Sequence, residues 1–306
     1  MLRTGRDRSG RSFNEGVTQV ATGVEFALAR TRFHTALRAK VLVRTAKGIA
    51  SNADASSTAS TAIAGALLNI LGSETSAEKL AGQTAGSAFE QLTTDFLRET
   101  FLKLEHLRPG DWDVKCVGTH NRAEIARYSQ YSHLIALQLA ARRDPALAAA
   151  LGSDYTITPD IVVSRKPVPD ETINLRAQLV DMEVARRTVL REMNNQEPLL
   201  HASVSCKWTI RSDRAQNTRA EALNLIRNRK GRLPHIVAVT GEPLPSRIAS
   251  LALGTGDIDC VYHFALPELQ EAVAALGFAD AQDLLAIMAE GQRLRDISDL
   301  PLDLSV

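Results

Sequence analysis

Cysteine is scarce in this chain of 306 residues: Cys116, Cys206 and Cys260 are odd in number, far apart and without a CxxC or Cys/His spacing. That excludes a disulfide framework and a zinc ribbon, and leaves three thiols expected to be buried. Long apolar runs are missing too, since nothing approaches the roughly 20 uncharged apolar residues of a bilayer span. The opening MLRTGRDRSGRSF offers no apolar core for a signal peptide. A cytoplasmic location is therefore expected. Neither sign of charge prevails, with 36 Lys and Arg against 35 Asp and Glu and a net charge of +1. Bulk charge thus argues neither for nor against a nucleic-acid partner.

What remains is ordinary globular composition, 44% hydrophobic and 23% charged. A chain of this length buries about three quarters of the surface its unfolded form exposes, so its core needs no staples. The charge is unevenly placed. Basic residues gather in the first 47 positions, whereas residues 257–306 hold ten acidic side chains against two basic ones. The cations are 28 Arg to 8 Lys. Arginine forks onto guanine edges and phosphates, although a GC-rich genome produces the same bias.

Residues 17–47 carry a helical rhythm (Val20, Val24, Ala27, Leu28, Phe33, Leu37, Val41), and 50–61 read as a small polar loop. AIAGALLNILG predicts a short helix stopped by Gly72, and 87–107 is the clearest amphipathic helix, ended by Pro109 and Gly110. A further helix fits 121–141, with an alanine-rich continuation ending near Gly152. The period then changes. YTITPDIVVS, SVSCKWTI, HIVAVTG and DIDCVYHF read as buried strands, and helices fit QNTRAEALNLIRNRK, closed by Gly231, and PELQEAVAAL. The expectation is an α/β fold, a mixed central sheet flanked by helices behind a helical N-terminal half, as one domain over residues 1–306. Residues 1–42 are expected to be a helical, basic N-terminal segment of unassigned role.

Asp160 opens one strand and Lys207 lies within the next. If the strands are neighbours, a carboxylate and an ammonium meet at one end of a sheet. Glu221 follows on the next helix, and Glu90 lies on the long helix upstream. Carboxylates around one point can hold Mg²⁺, which lowers the pKa of a bound water and neutralises phosphodiester charge, while the lysine orients that water or stabilises the transition state. Each member alone is ordinary: a strand lysine at a sheet edge, a solvated helix glutamate. After Lys207 come Arg211, Asp213 and Arg214 on a strand-to-helix turn. There, arginine can fork onto guanine and aspartate can accept from cytosine, although Ser212 or Asp213 could equally cap the helix. Two arginines at a helix start oppose its macrodipole and so favour an anionic partner. His120, His133 and His201 lack a second ligand at metal spacing, and Trp112 reads as a packing residue.

SVSCKWTIRSDRAQNTRAE, with YTITPDIVV before it and RNRKGRLPHIVAV after it, resembles the type II restriction endonucleases of the NgoMIV kind. That group has the PD-(D/E)xK nuclease core and cuts sites containing CCGG. The resemblance runs from about Val43 to the C-terminus through SNAD, GSETSAEKL, RPGDW and RLRDISDLPLDL. It implies that Asp160 is the metal-bridging aspartate and Lys207 the motif lysine. Ser205 occupies the place of the orthodox acid, whose role passes to Glu221. Glu90 becomes an auxiliary acid holding a metal-bound water, and Cys206 joins Asp160 and Glu221 as a metal contact. Arg211, Asp213 and Arg214 become readers of the CCGG core. Asp54, Gln83 and Arg247 become contacts to the outer pair, for a target like GCCGGC.

The resemblance further implies Mg²⁺, double-stranded DNA, a homodimer at least and a homotetramer when dimers pair. Cleavage should leave a 5′-phosphate and a four-base 5′ overhang, and a cognate cytosine methyltransferase is expected in the host. The competing readings are a repair or processing nuclease of the same fold that touches only phosphate, and a DNA-binding protein with an inert centre.

Overall fold

The helical first half forms where apolar side chains recur on one face. The computed structural model describes residues 24–72, 82–118, 124–151, 157–254 and 256–306, without the side chains of Gln83 and of 212–215. Helix α1 (Glu25–Lys40) buries Ala29, Phe33 and Leu37, one turn apart. Helix α2 (Thr58–Ile70) buries Ile63, Ala64, Leu67 and Leu68, and the Ser57 hydroxyl accepts the Ser60 N–H at its start. The SNAD loop before it is polar but not exposed, with Ser51 and Asn52 buried. Helix α3 (Gly82–Thr100) tightens into a 3-10 turn over 101–104 before Pro109 is reached. The helix expected over 121–141 begins only at His133. Helix α4 (His133–Arg143) and α5 (Pro145–Leu151) are divided at Asp144-Pro145, where proline has no N–H to continue the ladder and Asp144 Oδ1 accepts from Ala146 and Leu147.

The second half supplies β2 (Ile161–Arg165), α6 (Asp170–Ile173), β3 (Leu199–Lys207), α7 (Ser212–Asn228), β4 (His235–Thr240), α8 (Pro245–Ala252), β5 (Cys260–His263), α9 (Leu266–Ala275), α10 (Ala279–Glu290), β6 (Leu294–Asp296) and α11 (Leu300–Asp303). With β1 (Trp112–Cys116) the strands form one sheet in the order β1-β2-β3-β4-β5-β6. The β1–β2 and β2–β3 pairs are antiparallel, and β3 through β6 pair in parallel. This is the mixed, helix-flanked sheet the sequence implied.

The β2–β3 register places the site. Because the two strands run in opposite directions and Ile161 sits opposite Val204, the start of β2 lies beside the end of β3. Asp160 therefore meets Ser205, Cys206 and Lys207 although more than forty residues separate them.

Between β2 and β3 the chain makes a long excursion that is mostly irregular. Its organiser is Arg191, whose guanidinium is buried and bonds to Asp170, to the carbonyls of Asp181 and Val184, and to the Met193 sulfur. Leu175, Leu179, Met182 and Val184 stand exposed on its outside. One contiguous apolar cluster runs from Ala29 to Leu304. Among the described residues no helix is long and apolar enough to cross a membrane.

The first helix is tied to the last strand by charge. Arg30 donates to both oxygens of Asp296 (2.8 and 2.9 Å) and to both of Glu268 (2.7 and 2.5 Å), with four-fifths of its side chain buried. Both carboxyls are held below their usual range: burial pushes each up, and Arg30 more than reverses it. Removing the guanidinium strands two largely buried anions, so Arg30→Ala is expected to lower stability by about 3–5 kcal/mol in urea unfolding at pH 7. A loss under 1 kcal/mol would mean that the clamp is incidental.

Candidate active site

The Asp160 carboxylate is the hub. It is buried at the mouth of β2, and its Oδ2 accepts from the Cys206 N–H (2.7 Å), Lys207 Nζ (2.9 Å) and, at the long limit, the Ser205 hydroxyl (3.4 Å). Glu221 reaches the same region from α7, tied by its Oε1, which accepts the Thr158 N–H at 2.6 Å two residues before Asp160. Glu90 comes from α3, which packs on β1 and β3, and is also buried.

Three carboxylates thus share one ammonium. Burial first, and then the Asp160 charge, push both Glu90 and Glu221 up to about 7, with Lys207 acting against them. Burial alone would lower the Lys207 pKa, but Asp160 and Glu221 outweigh it and raise it, so the lysine stays charged. The centre is short of positive charge once its acids ionise, and its donors are hard oxygens. That fits a Mg²⁺-like cation, which is usually bound by one or two carboxylates, with water and substrate phosphate completing its shell. Among the described residues no group of three or more His, Cys, Asp and Glu is placed so that it could hold a metal ion by itself. The Cys206 thiol is unsuited to such an ion: burial pushes its pKa well up and keeps it protonated.

Past Lys207 the chain is anchored before it is exposed. Trp208 is buried with its ring against Phe89 (5.1 Å) and Phe264 (5.8 Å), and it lies so close over Gly241 that a Cβ there would sit 2.4 Å from the indole. Only glycine fits beneath it. Ile210 is buried as well, and Arg211 then emerges exposed as the N-cap of α7. Asp213 and Arg214 lie on the first turn of that helix, and their side chains are outside the described residues, as is that of Gln83 at the start of α3.

Arg211 lines an open cleft of about 640 Å³ together with Asp54, Ser56, Gln216, Arg219 and Arg247. Asp54 and Arg247, far apart in sequence, form an ion pair. Bonds from Ser56, and then from Arg247, hold the Asp54 carboxyl well below its usual range. The structure thus gathers Asp160, Lys207, Ser205, Glu221 and Glu90 in one centre, and Arg211, Asp54 and Arg247 in one cleft. Sequence reading missed Arg219, which donates to the carbonyls of Ser250 and Leu253 and so ties α7 to the end of α8. It also missed Glu242, whose signal is only a lone acid between a strand and a proline-flanked helix start.

Residues 33–306 match the family model described as NgoMIV restriction enzyme. The chain is 59% identical over 282 residues to the type II restriction enzyme NgoMIV of Neisseria gonorrhoeae, covering 92% of this chain and 99% of that protein. The match begins some ten residues before the Val43 expected from motifs. Among solved structures, a pre-specific restriction endonuclease BsaWI–DNA complex aligns over 66% of each chain at 12% identity and a TM-score of 0.30.

Proposed function

Because the chain belongs to the NgoMIV restriction enzyme family, and so to the type II site-specific deoxyribonucleases, we propose that its carboxylate–lysine centre cuts both strands of a palindrome with a CCGG core, GCCGGC in full, leaving a 5′-phosphate and a four-base 5′ overhang. The observation that carries this reading is the 2.9 Å contact between Lys207 and Asp160 across two neighbouring strands, with Glu221 and Glu90 coupled to both. Membership in a family of sequence-specific nucleases favours it over a phosphate-reading repair nuclease and over an inert binder.

Asp160 and Glu221 are the side chains we assign to Mg²⁺, with Cys206 contributing through its carbonyl oxygen rather than its thiol. When bound, the ion supplies a water of lowered pKa and neutralises charge on the phosphodiester. Lys207, fixed by Asp160, stays charged and would orient the attacking water or stabilise the negative charge that develops on the phosphate. Glu90, poised near neutrality, takes a proton from water in the site. Asp160 orients Lys207 and, through the Cys206 N–H, fixes the end of β3.

Arg211, with Asp213 and Arg214, reads the CCGG core in the major groove, while Arg247, Asp54 and Gln83 address the outer pair. A palindrome presents one surface twice, so the functional unit is a two-fold dimer at least, and a tetramer when two dimers pair. Leu175, Leu179, Met182 and Val184, each exposed on the excursion between β2 and β3, supply apolar surface that such pairing could cover. A host carrying this activity needs a cognate cytosine methyltransferase.

Digestion of a plasmid of known sequence with Mg²⁺, followed by end mapping, tests the reading. Cuts after the first G of GCCGGC are expected, with Ca²⁺ supporting binding but not turnover. Fragments with unrelated ends would sink it. Arg211→Ala is expected to lose about 1–3 kcal/mol of discrimination at a core pair, whereas a phosphate contact would weaken all sequences alike and flatten the salt dependence.

A further inference from the structure

Glu242 is wholly buried in the turn that leaves β4, and it belongs to neither the catalytic centre nor the cleft lining. Its Oε2 accepts the Ile210 N–H at 2.7 Å, one residue before Arg211. Its Oε1 accepts the Leu244 N–H at 3.2 Å, at the entry to α8, three residues before Arg247. The Arg247 guanidinium lies 3.9 Å from the same Oε2 and pairs on its other side with Asp54. The loop of Asp54 is held independently onto the neighbouring residue, where Asn52 Nδ2 donates to the Gly241 carbonyl at 2.8 Å. Two backbone donors from two different elements converge on one carboxylate, which a neutral amide cannot reproduce: its single oxygen satisfies one N–H and its NH₂ confronts the other.

We propose that Glu242 is a positioning residue for sequence readout, locking the Arg211 segment and the Arg247 helix into one frame so that inner and outer base pairs are read in fixed register. This rests on the assignment of Arg211 and Arg247 as base readers. A buried carboxylate is expensive even with two N–H donors, and Glu242 is pushed up to about 7 chiefly by its burial. A hydrophobic residue would fill the space at less cost but would leave two N–H groups orphaned and the two reading elements unlinked.

The test is the ratio of kcat/KM on a synthetic duplex carrying the mapped hexamer to that on a duplex with both outer pairs exchanged. The parent, Glu242→Gln, Arg247→Ala and their double variant are compared under single-turnover conditions. Glu242→Gln and Arg247→Ala are each expected to lower the ratio at least about tenfold, and the double variant to lower it little further, because both act on one coupled unit. Glu242→Asp keeps two acceptor oxygens but draws them one methylene back from their donors, so it is expected to lower the ratio less than the glutamine variant yet still by about threefold or more. Leu269→Ala, a core truncation on α9, controls for lost stability and should leave the ratio alone. If Arg247→Ala collapses the ratio while Glu242→Gln holds it within about threefold, the proposal is overturned although the readers stand. If Arg247→Ala itself changes nothing, the assignment of readers has failed and the proposal falls with it. Should the glutamine chain not fold, Glu242→Asp answers: an unchanged ratio beside a lowered melting temperature overturns the proposal.

Discussion

Asp160→Ala is expected to reduce strand scission by at least about a thousandfold while leaving affinity for the cognate duplex within about tenfold. The side chain does three things at once. It receives the main-chain N–H of Cys206, restrains the Lys207 ammonium at 2.9 Å, and supplies anionic oxygen between two neighbouring acids. None of these contacts reaches the cleft where Arg211, Asp54 and Arg247 stand, so chemistry and recognition should separate cleanly. Lys207→Ala should be equally silent in cleavage but less stable. It removes the ammonium from among three carboxylates, a loss of about 3 kcal/mol or more in the absence of divalent ions. Gel shifts in Ca²⁺ and single-turnover cleavage in Mg²⁺ measure the two properties; cutting retained by either variant refutes the assignment.

Glu221→Gln should move stability and turnover in opposite directions. In the folded chain this acid ionises near 7 rather than at the 4.5 of an ordinary glutamate. Between those values the folded state holds a proton that the unfolded chain has released, so the stability this group contributes is present below pH 4.5 and lost as pH climbs through 7. The amide avoids that loss and can still accept the Thr158 N–H. The metal-free variant should therefore be more stable than the parent by about 1–3 kcal/mol at pH 8 and equal to it at pH 4.5. Cleavage should be lost, because a neutral amide is a poor partner for a hard cation. Melting curves across this pH range, with EDTA, are the measurement. A variant less stable than the parent at pH 8 would show that the ionised carboxylate is compensated within the protein. Glu90→Gln should follow the same pattern.

Much of this arrangement could be read from residue order, for reasons that differ by element. Asp160 and Lys207 were legible because a β-branched run flanks each, so an antiparallel pairing would bring them together, as the Ile161–Val204 register does. Strand β1 was not, since WDVKC sets charges between its apolar residues and is only half-buried. Strand β6 spans three residues, LRD, too short for any period to show. The helix expected from 121 begins only at His133, with a 3-10 turn over Ile125–Arg127 before it, because alanine and leucine content carries no information about where a helix starts. Buried charges were the least legible. Arg191 and Glu242 resemble solvated residues in any hydropathy profile, and only coordinates show the backbone groups that turn to meet them. Glu221 was assigned through resemblance, and the bond to Thr158 supplies the physical reason for its place. The side chains of Arg214, Asp213 and Gln83 lie outside the described residues, and their roles rest on the resemblance.

The excursion between β2 and β3 has one further implication. Its ends are fixed by the ladder between those strands, which also sets how Asp160 faces Lys207, and its interior is organised around its own arginine. The strand register, rather than the stretch that carries the exposed Leu175, Leu179, Met182 and Val184, therefore sets the reaction geometry. Lineages could remodel that stretch, acquiring or discarding neighbours, without retuning hydrolysis, and a protein engineer could graft there with the same freedom.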